Sequence, residues 1–61
     1  MIWTRTKEDG CQVYTSGSYE IRQCYEGGWQ AAKDGFVLNR LELIPSLREA
    51  KEICEDHDKF Q

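Results

Sequence analysis

Apolar and polar positions alternate through the first two-thirds of the chain and then change period. Around SYEIRQCY (18–25), Tyr19, Ile21 and Tyr25 fall on one face, and Glu20, Arg22, Cys24 and Glu26 on the other. A repeat of two marks a strand buried on one side. The same alternation sets Trp29 and Ala31 against Gln30, Ala32 and Asp34, and places Phe36 with Leu38. Turn-forming clusters interrupt it at short intervals: EDG at 8–10, TSGS at 15–18, EGG at 26–28 and KDG at 33–35. Such clusters between β-prone stretches read as hairpins, because Gly, Asp and Ser tolerate the backbone angles that tight turns need. In the EGG turn, Gly27 and Gly28 are both expected to supply positive φ.

After Pro45 the period lengthens. Leu47, Ala50, Ile53, Cys54 and His57 recur at helical spacing on one face, with Glu49, Glu52 and Asp56 on the far side. Ser46 is an N-cap and Glu49 completes a Ser-x-x-Glu capping box, so the helix is expected over about residues 47–58. Arg48–Glu52, Lys51–Glu55 and Glu55–Lys59 have (i, i+4) spacing, each pair worth roughly 0.3–0.5 kcal/mol. RLELIP (40–45) alternates Leu41 and Leu43 with Arg40 and Glu42. It fits either a last short strand or an extended crossover to the helix. The pattern thus specifies an α+β fold in one domain, 1–61: a three- to four-stranded antiparallel meander over about residues 2–43, covered on one face by a single C-terminal helix.

Composition narrows the function. A chain of 61 residues with 39% hydrophobic and 31% charged residues builds one small core. It leaves no room for a deep two-walled cleft, so no catalytic residue is assigned and a non-enzymatic role is expected. No apolar run approaches the ~20 residues needed to span a bilayer, and MIWTRTKEDG lacks the features of a signal peptide. The expectation is a cytoplasmic protein with no membrane partner. The net charge is −3, and the Lys and Arg residues are scattered along the chain. Binders of nucleic acid draw much of their affinity from clustered cations, so a protein partner is favoured over nucleic acid.

Three cysteines, Cys11, Cys24 and Cys54, are too few and too widely spaced for a disulfide scaffold and read as reduced thiols. Cys54-x-x-His57 together with Cys11 and Cys24 makes a nominal Cys3His set, but no tight Cys-x-x-Cys knuckle is present. Cys54 is read as a small core residue and His57 as a side chain near the helix C-terminus. Neither a metal nor a cofactor is assigned. Interaction residues are placed on two surfaces: Glu49, Glu52 and Asp56 on the acidic helix face, and Arg22 and Gln30 on the polar outer face of the sheet. A homodimer could form through an edge strand or through that outer face.

The order of packing residues (Trp3, SYEI at 18–21, WQA at 29–31, DG at 34–35, SLREAK at 46–51 and His57) resembles that of small uncharacterised phage and prophage proteins. The β-β-β-α order also resembles the arm-site DNA-binding domain of phage integrases and the plant ethylene-response-factor type of domain. Those read DNA through the sheet with several Arg and Trp residues, where this sequence offers mainly Arg22. The phage resemblance implies a small interaction module, such as an inhibitor of a host protein in the manner of anti-CRISPR proteins. A DNA-binding sheet module is the alternative.

Overall fold

Four tight turns lay five strands side by side in chain order. The computed structural model describes residues 1–40 and 42–60. Strands β1 (Thr4–Glu8), β2 (Cys11–Ser16), β3 (Tyr19–Cys24), β4 (Gly28–Lys33) and β5 (Phe36–Val37) form one antiparallel sheet in the order β1-β2-β3-β4-β5. The meander therefore has one strand more than the three or four expected, because the FV pair still hydrogen-bonds to β4 before the chain turns away. The Asp9-Gly10 and Asp34-Gly35 turns have positive φ at both residues, the type I′ geometry that matches strand twist.

The helix α1 (Leu47–Lys59) follows, one residue longer than expected. The Ser46 side chain accepts a hydrogen bond from the Glu49 amide at 3.2 Å, so the N-cap forms as its sequence indicates. Arg48–Glu52 closes at 3.4 Å. The other two spaced pairs do not close among the described residues. Lys51 Nζ instead lies 5.1 Å from the centroid of the Tyr14 ring, and Lys59 Nζ lies 5.5 Å from that of Phe60. A cation over an aromatic face competes well with an exposed (i, i+4) pair.

α1 packs on β4 and β3. The core joins Tyr19, Ile21 and Ala31 of the sheet to Ile44 before the helix and to Ala50 and Cys54 within it, with Trp3, Tyr14, Trp29, Leu38, Leu47 and Ile53 packed around them. Ala31 and Ala50 are wholly buried, and their small side chains let helix and sheet approach closely. Two sequence assignments to this face are corrected. Tyr25 is 83% exposed because β3 ends at Cys24, and the residue belongs to the following turn. Phe36 is 75% exposed because it lies at the sheet margin, whereas its neighbour Leu38 packs on the core.

The outer face is not uniformly polar. The register alternates Val13 and Cys11 with the core-facing Tyr14 and Gln12, yet Val13 and Cys11 are only 2% and 8% exposed. Arg22 on β3 reaches over their strand. Its Nη2 reaches Glu8 Oε2 on β1 at 2.8 Å, so the ion pair bridges across β2, which carries Val13 and Cys11.

Candidate functional site

The segment between β5 and α1 neither extends the sheet nor runs straight to the helix. It touches the β4 edge at Leu38, at the Asn39 side chain and again at Ile44. Leu38 N–H donates to Ala31 O at 2.8 Å, and then the Asn39 side chain takes over where a strand partner would stand. Asn39 Oδ1 accepts from Ala31 N–H at 2.8 Å, and Nδ2 donates to Trp29 O at 3.3 Å and to Glu42 O at 2.9 Å. A carboxamide carries the same donor and acceptor as a peptide group, which is why it can close a strand edge. Ile44 then pairs with Trp29 through two 2.9 Å backbone bonds. Of the strand-or-crossover alternatives for 40–45, the described residues adopt a crossover with this one bridge; Leu41 lies outside the described residues.

Gly28 is the other determinant of this segment. Its φ is not positive, so the expectation for that residue is corrected: Gly27 alone supplies the turn geometry, at φ 87°. Gly28 is buried in β4, and a Cβ added there would lie 2.7 Å from Leu43 Cβ. The missing side chain is what allows the crossover to lie directly on the strand.

Between the crossover and α1 lies an open groove of about 650 Å³. Its apolar lining is Leu38, Leu43, Ile44, Pro45 and Ile53. Around these stand the carboxylates of Glu42, Glu49, Glu52 and Asp56 and the guanidinium of Arg40. Glu49, Glu52 and Asp56 are thus brought together, as the helical spacing requires, but as the border of a groove and not as a free helix face. The ion pair to Arg48 engages Glu52 alone among these four acids within the described residues.

Arg22 and Gln30 are cross-strand partners on the opposite side of the sheet. Five candidate interaction residues therefore divide into two sites that one contact cannot share. Arg22 is also already engaged, by Glu8 at 2.8 Å and Glu20 at 3.5 Å, with side-chain exposure of 41%. The hydrogen bond to Glu8, and then the nearby Glu20, raise its pKa and hold its charge.

The sheet likewise divides the nominal Cys3His set. Cys54 and His57 lie on the helix side, while Cys11 and Cys24 share the outer face with Val13 and Arg22. Burial pushes the Cys54 thiol up to about 11, the reverse of what a nucleophile requires. His57 Nδ1 is 2.8 Å from the Tyr19 hydroxyl.

Sequence reasoning missed the groove's second wall: Leu38, Asn39, Leu43, Ile44 and Pro45. RLELIP alternates in polarity just before a helix-initiating proline, but nothing in it indicates that Asn39 would replace a strand. Comparison of the chain with protein-family models, curated proteins and solved structures gives no match.

Proposed function

We propose that this chain is a small non-enzymatic protein-interaction module that holds its partner in the groove between α1 and the crossover residues 38–40 and 42–45. The observation that carries this reading is an apolar concavity bordered by four carboxylates, with one wall pinned by Asn39 and Ile44. A pre-formed apolar recess with a charged rim is the common anatomy of a protein contact, since the recess supplies affinity and the rim supplies register. The acids border the recess without a nucleophile beside them among its described lining residues. An inhibitor docking on a host protein, of the phage or prophage type that the order of packing residues resembles, is the form of module favoured.

The alternative, a sheet that reads DNA, has less support. The Arg22 guanidinium on the outer face is neutralised by Glu8 and Glu20, and freeing it for a phosphate would break both contacts.

The test is affinity capture from lysate with and without nuclease treatment, comparing the native chain with Glu49→Lys/Glu52→Lys/Asp56→Lys that keeps its far-ultraviolet circular dichroism. A nuclease-resistant protein held by the native chain and lost by the variant supports the reading. Retention on DNA with a steep salt dependence, and no protein captured, overturns it.

A further inference from the structure

We infer that the occupant of the groove is an amphipathic helix of a partner protein, apolar along one stripe and flanked by Lys or Arg; this rests on the groove being a protein-docking site. Charge complementarity selects the cationic flank. Among the described lining residues four carboxylates face one guanidinium, and the pairing of Glu52 with Arg48 leaves Glu42, Glu49 and Asp56 to attract cations. Glu49 and Asp56 are seven residues apart on α1, which at 1.5 Å per residue separates them by about 10 Å along the helix axis. That matches two cations two turns apart on a partner helix lying alongside.

The backbone selects a helix over an extended segment. An extended peptide entering a groove beside a sheet needs an open strand edge to satisfy its amides and carbonyls. Here the β4 edge is already used: Ala31 and Trp29 are paired with Leu38, Asn39 and Ile44. A strand laid there would leave its own polar backbone unpaired against Leu38, Leu43 and Ile53. A helix satisfies its backbone internally and presents only side chains, which is what this recess can accept.

The experiment titrates the full-length chain, labelled with nitrogen-15, with three synthetic helical peptides: Leu/Lys amphipathic, Leu/Glu amphipathic and Ser/Lys. The Leu/Lys peptide is expected to shift the amides of residues 38–44 and 49–56, and added salt should weaken it. Glu49→Gln/Asp56→Asn should lower its affinity roughly five-fold, the effect of two rim charges. Equal binding of the Leu/Glu peptide at the same amides overturns the cationic partner while leaving the docking groove standing. Shifts spread over the acidic surface, and equal for Ser/Lys, overturn the proposal as diffuse charge attraction. An absence of groove shifts with every peptide at millimolar concentration overturns both the partner class and the groove.

Discussion

The Tyr19 hydroxyl lies 2.8 Å from His57 Nδ1 across 38 residues of sequence, joining the start of β3 to the last turns of α1. The two rings meet edge to face with centroids 5.8 Å apart, and Lys33 Nζ stands 5.4 Å from the centroid of the Tyr19 ring. Tyr19 thus sets where the helix end rests on the sheet. Burial, with the negative charge of Asp58 next in importance, raises its pKa above the ordinary tyrosine value. Tyr19→Phe keeps the ring and removes the bond. It is expected to lower the urea midpoint at unchanged slope and to speed amide exchange in the last helical turns. Equal midpoints would show that ring packing alone fixes the helix end.

Asn39→Ala removes a side chain that makes three hydrogen bonds to backbone. The Ala31 amide and one acceptor site on Trp29 then lose their partner, and leaving part-buried polar groups unmet costs roughly 1–3 kcal/mol. The fold is expected to survive at lower stability, with the Ala31 amide exchanging faster. Chemical denaturation and hydrogen exchange read the two effects separately.

Gly28→Ala tests the close approach of crossover and strand. Replacing Gly at an unstrained φ ordinarily stabilises by about 0.4–1 kcal/mol through the unfolded chain. Here the new Cβ would meet Leu43 Cβ at 2.7 Å, Leu43 Cδ1 at 3.2 Å and Ile44 O at 3.4 Å. Overpacking of this kind costs roughly 1–3 kcal/mol, so sterics win and the crossover must move. The expected result is net destabilisation, with amide shifts concentrated in residues 42–44. A stabilised variant would show that the crossover is not held against β4.

Cys54 is wholly buried, and its thiol is pushed by burial from the ordinary value of 9.0 to about 11. Between those pH values the unfolded chain has released this proton and the folded chain retains it. The unfolded state binds fewer protons, so the contribution of Cys54 to stability falls as pH rises from about 9 to about 11. Cys54→Ala should flatten that part of the stability curve. At neutral pH, a thiol reagent is expected to label half-buried Cys24 before Cys54, with Cys54 labelled at the rate of unfolding. Peptide mapping of the labelled protein checks the order.

Much of the fold is legible in the sequence because its signals are local. Two-residue alternation in YEIR, Asp-Gly at two turns and Ser46 before Leu47 each act within a few residues, where backbone sterics and capping decide. Those signals set the meander, the helix and its acidic stripe of Glu49, Glu52 and Asp56. They fail where an element ends. Tyr25 continues the alternation of β3 in sequence, but the strand has stopped, and its hydroxyl instead donates to Asp9 O at 2.8 Å.

What only the tertiary structure decided are relations between distant residues. The acidic stripe became the border of a groove only because Leu38, Asn39 and Ile44 tie the crossover to β4 beside it. Arg22 became a closed ion pair only because the register sets Glu8 within reach across β2. Gly28, which reads in sequence as part of a turn, proved to be the place where the Leu43 side chain of the crossover packs directly on β4. A sequence specifies the period of each element through neighbouring residues. Which side chains meet depends on the register and on loop closure, and those are settled by the packing of the whole chain.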